Sequence, residues 1–182
     1  MKLKGVARIS GIPEVEREIE DSFLPLFALV YSKLEPGRYI IALVDDPFAV
    51  VAIDNGEIVD FVSSTESGAF SLRTCGELPT ADFAKLAISD PYTWRKRILT
   101  EGGLFSYLST DSIREAIKKD PFIVEAMAYQ MAKEIWAMTT VFCGNFKDIV
   151  LVGKLLEEEP LKHMLIKRLE PLNKNIVYLE VV

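Results

Sequence analysis

The chain has 182 residues and a formal net charge of −6, with 49% apolar and 26% charged residues. That length suits one ordinary domain with room for a real core, and the acidic balance, with no basic cluster larger than Arg95-Lys96-Arg97, argues against a nucleic-acid partner. No apolar run approaches the ~18 residues of a membrane span, and the start Met-Lys-Leu-Lys-Gly-Val-Ala-Arg has no apolar leader, so a cytoplasmic chain with no membrane partner is expected.

In chain order, residues 6–13 read as an extended segment and turn. Ser10 and Pro13 are candidate starts of a helix whose first turn carries Glu14, Glu16 and Glu18, suited to a positive N-terminus. A helix over residues 23–34 contains Pro25, which predicts a kink or a split. Glu35-Pro36-Gly37 ends it, so residues 1–37 form a lead-in to an α/β core over 38–182, the whole being a single domain.

Residues 39–62 organise that core. Two six-residue apolar runs, 39–44 and 48–53, flank Asp45-Asp46-Pro47, and Asp54-Asn55-Gly56-Glu57 leads into a third run, 58–62. Asn-Gly between apolar runs signals a tight hairpin because both residues tolerate positive φ. The first two runs lack polar alternation, so an antiparallel three-strand meander with helices on both faces is predicted.

A long polar connection follows through residues 63–79, of the kind that often carries function. Pro79-Thr80 opens a helix with Phe83, Leu86, Ala87 and Ile88 at helical spacing. Asp90-Pro91 opens another, whose Arg95-Lys96-Arg97 reads as a solvated face. Glu101-Gly102-Gly103-Leu104 is a break, and Ser109-Thr110-Asp111 a cap for a helix over 113–119. Asp120-Pro121 opens the longest amphipathic stretch, with Ile123, Met127, Met131, Ile135 and Met138 on one stripe. Plain core is the simple reading of that stripe and a subunit interface the sharper one. An apolar strand over 149–153, a helix over 155–169 and a strand over 176–182 complete a mixed sheet.

Cys75 and Cys143 form no Cys-x-x-Cys pair and read as two buried, reduced thiols. His163 stands alone in a helical pattern, so no metal site is predicted.

Several segments together resemble the butyrate kinases, of the butyrate and acetate kinase family. They are the run from Glu125 to Ile135 (EAMAYQMAKEI), Gly68-x-Phe70-Ser71 with Gly76-x-Leu78-Pro79, Gly102-Gly103-Leu104-x-x-Tyr107-Leu108-x-Thr110, Arg114-Glu115, and residues 6–13 (VARISGIP). The similarity keeps one order over nearly the whole chain. It implies membership of the group of acetate and sugar kinases, heat-shock 70 proteins and actin, whose two ribonuclease-H-like domains hold ATP between them. This chain then corresponds to the second, C-terminal domain alone, with the first domain missing before Met1.

The same resemblance implies that the active-site motifs are degenerate. Where butyrate kinases carry His-Leu-Gly-Gly-Gly after the first strand, this chain has Leu43-Val44-Asp45-Asp46-Pro47. Carboxylates repel phosphate, and proline has no N–H to offer it. The family's histidine falls on Ser22 and its arginine on Thr74, with Arg73 one place off as the residual catalytic candidate for steadying a phosphoryl group. Ser112-Ile113-Arg114 keeps only Arg114 of an adenosine-side Asp-x-Arg, and Val152-Gly153-Lys154 loses one nucleotide glycine. Arg114, Gly153 and Lys154 are therefore the nucleotide-binding candidates.

Two functions follow as expectations. The first is a non-catalytic butyrate-kinase-like domain acting through protein–protein contacts, as a homodimer or as the partner of a true acyl kinase, with no cofactor. The alternative is a carboxylate phosphotransferase of butyrate or acetate type, or its nucleotide-binding component. ATP and Mg²⁺ enter only there, with the missing first domain supplied in trans. A small-ligand sensor built on the loop over 63–76 is a third reading.

Overall fold

A computed structural model describes residues 1–180. Five strands form one sheet in the order β3-β2-β1-β4-β5, with β1 at Arg38–Leu43, β2 at Ala49–Asp54, β3 at Glu57–Ser63, β4 at Asp148–Val152 and β5 at Asn175–Tyr178. β1, β2 and β3 are the expected antiparallel meander, while β4 and β5 join β1 in parallel. The sheet is thus mixed, as predicted. The β2–β3 turn places Asn55 and Gly56 at φ 49° and 88°, the tight hairpin that Asn-Gly forecast. β5 ends at Tyr178, and residues 181 and 182 of the expected last strand lie outside the described residues.

The missing polar alternation in β1 and β2 has a direct cause. Ile40, Ala42, Val50, Ala52, Ile149 and Leu151 enter one core beneath the helices that follow the meander. Tyr39, Ile41, Val51, Ile53, Val150 and Val152 enter another on the opposite face. With both faces dry, the inner positions of the central strands are apolar on both sides, and polar residues stand only at their ends, at Arg38, Asp54 and Asp148.

The second face is covered by the lead-in and by α1 (Leu24–Ser32), through Leu3, Ile19, Phe23, Phe27 and Val30. Phe23 and Phe27 pack their rings against Phe61 at 5.3 and 6.3 Å. Two expectations fail here. Residues 10–20 are not helical; they fold back through bridges between Lys2 and Glu18 and between Ile9 and Glu16. Ser10 Oγ donates to the carbonyls of Ile12 and Val15, tying a turn instead of capping a helix. Nor does Pro25 kink anything: it sits in the first turn of α1, where its missing N–H has no intrahelical partner to lose.

The first face carries α4 (Gly103–Leu108), α5 (Ile113–Lys119), α6 (Pro121–Met138) and α7 (Glu159–Leu169), while α2 (Thr80–Ser89) and α3 (Pro91–Leu99) form a hairpin in which no residue is buried. The expected break falls at residues 100–102, between the end of α3 and Gly103, where α4 starts, and Ser109 closes that helix at φ 51°. The cap of α5 is Ser112, whose hydroxyl accepts the Glu115 N–H. Of the stripe on α6, Met127, Met131, Ile135 and Met138 are buried in the core and Ile123 packs half-buried against it, as the plain-core reading expects. Cys143 is exposed and Cys75 only half-buried, which corrects the expectation of two buried thiols. Among the described residues no helix is long and apolar enough to cross a membrane.

Candidate functional site

In α/β sheets, ligands favour the crevice beyond the carboxyl ends of parallel strands. Here that edge is formed by the turn after β1 (Val44-Asp45-Asp46-Pro47) and the residues after β4 and β5. The two parallel strands stay in register past their ends. Val44 donates its N–H to the Val152 carbonyl at 2.7 Å, and its own carbonyl accepts the Leu155 N–H at 3.2 Å. Gly153 fits between because it has no side chain. A Cβ there would stand 2.4 Å from the Val44 oxygen, and its φ of 119° is one that other residues rarely adopt.

Both turn carboxylates accept hydrogen bonds from the segments around them. Asp45 Oδ2 accepts the Lys154 N–H at 3.3 Å, and Asp45 Oδ1 accepts the Asp46 N–H at 2.9 Å. Asp46 Oδ1 accepts from the Ser71 hydroxyl, from the Arg73 N–H at 3.3 Å and from the Thr74 hydroxyl at 3.3 Å. Behind it lies a chain of hydroxyls: Ser71 to Thr74 at 2.8 Å, Thr74 to Ser64 at 2.7 Å, and Ser64 Oγ accepting the Phe48 N–H at 3.0 Å. This network clips the 63–79 connection onto the β1–β2 turn. The Ser71 and Thr74 hydroxyls and the amides of Asp46, Arg73 and Lys154 point at a resident carboxylate.

That arrangement decides what the edge can bind. An anion needs N–H and O–H donors free to turn toward it. A phosphate brought within 4 Å of either carboxylate also meets a repulsion of about 4 kcal/mol per pair of unit charges at a near-surface dielectric. The neighbouring cavity, about 450 Å³, is lined among others by Asp45, Glu157 and Glu180 against Lys154 and Lys162. Three carboxylates facing two ammonium groups do not attract a polyanion.

The structure scatters the remaining candidates. Gly153 and Lys154 share the cavity with Asp45. Arg73 does not reach it: Nε and Nη2 both donate to Asp111 Oδ2, at 3.0 and 2.7 Å, and the guanidinium lies 4.3 Å from the centre of the Phe105 ring. The Arg73 hydrogen bond holds the Asp111 carboxyl below its usual range. Arg114, largely exposed on α5, donates to Glu158 Oε2 at 3.1 Å, just ahead of α7. His163 is exposed, as is Ser22. Among the described residues no three His, Cys, Asp or Glu side chains cluster as a metal cage. The amides of Lys154 and Arg73 and the Ser71 hydroxyl, which could otherwise turn to a phosphate at this edge, face carboxylates.

Sequence reasoning gave Ser64, Ser71 and Thr74 no role in holding the turn. Their only local signal was small polar residues inside a stretch that also holds Ala69 and Phe70, both buried.

The fold is that seen in acetate and propionate kinases. A propionate kinase from Francisella tularensis superposes with a TM-score of 0.80 at 13% identity, covering 99% of this chain and 58% of its own. An acetate kinase from Porphyromonas gingivalis gives 0.79 at 13%, over 98% and 57%. No family model matches the chain.

Within that class the chain is a relative of the butyrate kinases, corresponding to their C-terminal part. It is 35% identical over 182 residues to a probable butyrate kinase 2 of Caldanaerobacter subterraneus, covering 91% of this chain and 51% of that protein. A probable butyrate kinase of Thermotoga petrophila is 32% identical over 184 residues, 92% and 52% of the two chains. Butyrate kinase 1 of Clostridium acetobutylicum is 30% identical over 176 residues, 87% and 50%. The chain spans about half the length of the curated relatives it matches.

Proposed function

We propose that this chain is a non-catalytic butyrate-kinase-like domain that works through protein–protein contacts, with a second copy or a true acyl kinase as its partner. The observation that carries this reading is the engagement of Asp45 and Asp46: the strand-end donors that could hold a transferring phosphate are bonded to fixed carboxylates. In-line phosphoryl transfer depends almost wholly on positioning and on neutralising charge at the phosphate oxygens. A site carrying its own anions supplies neither, so no nucleotide cofactor is part of this reading.

The alternative, a carboxylate phosphotransferase or nucleotide-binding component completed in trans, has Gly153 and Lys154 at the edge of the cavity in its favour. Titration calorimetry of the full chain with Mg-ATP and with ADP separates the two. The proposal expects no binding heat at millimolar nucleotide, alone or mixed with a butyrate kinase. Saturable binding below ~1 mM would overturn it, since that affinity corresponds to about −4 kcal/mol and requires donors that are free.

A further inference from the structure

The α2–α3 hairpin carries apolar residues at helical spacing and yet buries none of them. Short helices in a folded chain are held chiefly by covering an apolar face, because propensity alone is too weak. Here the hairpin stands over a cavity of about 510 Å³, between it and the 63–79 connection. Phe83 and Ala87 of α2, Trp94 and Ile98 of α3, and Cys75 and Leu78 of the connection line that space. Two backbone bonds tie the far end of α3 to the connection. Cys75 donates its N–H to the Ile98 carbonyl at 3.0 Å, and Gly102 donates to the Arg73 carbonyl at 2.8 Å. Mostly apolar clefts of about 300–1,000 Å³ with a few polar groups are the usual seats of small organic ligands.

The charges at the cavity identify the ligand class. Its lining includes Glu66, Glu77 and Arg95, and Glu77 is paired with Lys133 at 3.6 Å. Among the described residues neither Glu66 nor the neighbouring Glu18 and Glu20 forms an ion pair. The nearby cation, Arg17, is committed to Asp60 at 3.0 Å and to the Phe61 carbonyl at 2.8 Å. Glu20 is fixed in place by the hydroxyls of Ser63, at 2.9 Å, and Thr65. That leaves three uncompensated carboxylates against the one guanidinium of Arg95.

Burial, and then the charge of Glu20, hold the Glu66 carboxyl above its ordinary value. A cation at Glu66 offsets both, whereas a carboxylate or phosphate ligand adds to the repulsion. The rings of Trp94 and Phe83 also offer faces that attract an ammonium group. A bare metal ion would leave the apolar walls wet; an amine with an apolar body uses both the walls and the charge.

We propose that the cavity under the α2–α3 hairpin binds a small organic amine, with its ammonium group on Glu66 and its apolar body against Phe83, Trp94 and Ile98. This site is a property separate from the protein contacts proposed above.

A matched pair of fluorescent probes tests it on the full chain at pH 7. Dansylcadaverine ends in an ammonium group, and dansylaminohexanoate ends in a carboxylate on an arm of the same length. Emission of the dansyl ring shifts to the blue as it leaves water. The amine probe is expected to bind at least ~tenfold more tightly than the carboxylate probe, the equivalent of one charge-assisted contact. Glu66→Gln is expected to weaken the amine probe at least ~tenfold and to leave the carboxylate probe no weaker. Ala87→Trp fills the cavity and is expected to abolish the blue shift with both. Urea unfolding of each variant checks that it is folded.

No emission change with the amine probe at millimolar concentration overturns the site. Equal affinity for the two probes, or an amine affinity indifferent to Glu66→Gln, overturns the assignment of the ligand as an amine held by Glu66. The reading of the chain as non-catalytic fails on a different result, nucleotide binding in the calorimeter.

Discussion

Replacing Asp46 with alanine tests the self-bonded strand edge most directly. The variant removes one charge-assisted hydrogen bond from Ser71 and two longer ones from the Arg73 N–H and the Thr74 hydroxyl. A bond to a charged group contributes about 1.5–3 kcal/mol, and the longer pair adds less than ~1 kcal/mol each. Ser71 and Thr74 are both buried, so water does not simply replace the carboxylate. They keep the bond to each other and Thr74 keeps Ser64, which limits the loss. The expected destabilisation is about 2–3 kcal/mol. With a urea slope of ~2–3 kcal/mol per M, the unfolding midpoint falls by about 1 M. Asp46→Asn retains the acceptor oxygen without its charge and is expected to lose roughly half as much. Asp45→Ala gives up a single 3.3 Å contact to Lys154 outside its own turn and is expected to lose under ~1 kcal/mol. Equal midpoints for wild type and Asp46→Ala, or a larger effect at Asp45 than at Asp46, would refute the assignment of Asp46 as the anchor.

Other expectations follow from the same structure. Gly153→Ala forces a Cβ against the Val44 carbonyl at an unfavourable φ, and a loss of at least ~2 kcal/mol is expected in denaturant unfolding. Met131→Ala opens a cavity in the core beneath α6 and is expected to cost 2–5 kcal/mol, read the same way. Glu134 is mostly buried on α6, and burial raises its carboxyl above the ordinary value of 4.5. Its ionised form therefore costs stability above the folded value, and that cost disappears below the unfolded one. Glu134→Gln is expected to melt higher than wild type at pH 7 and to converge with it near pH 4. Asp111 has a depressed value because of Arg73, so its contribution is present above the ordinary 3.8 and lost as pH falls through the folded value. Both partners are more than a third exposed, so Asp111→Asn is expected to cost under ~1 kcal/mol at pH 7. A double-mutant cycle with Arg73→Met measures that coupling.

What the sequence determined by itself was whatever depends on local pattern. Apolar runs broken by Asp45-Asp46-Pro47 and Asn55-Gly56 specified the meander, because turn chemistry and strand periodicity act over a few residues. Asp-Pro pairs at 90–91 and 120–121 marked two helix starts, where the aspartate side chains accept the N–H groups of Thr93 and Phe122. The unbroken hydrophobicity of β1 and β2 announced a sheet covered on both faces.

Tertiary structure decided what depends on distant partners. Pro25 is harmless only because α1 begins one residue earlier, and the acidic run at residues 14–18 is extended because Leu3 and Ile19 are held in the second core. Arg73, the residual catalytic candidate, is held by Asp111, 38 residues away. The stripe on α6, open to two readings in the sequence, packs into the core against the sheet. Asp45 and Asp46 were recognisable as wrong for phosphate from their chemistry alone. That their carboxylates take the amides and hydroxyls of Lys154, Ser71, Arg73 and Thr74 required the chain to bring those segments together, since a hydrogen bond is set by geometry within a few ångströms and not by separation in sequence.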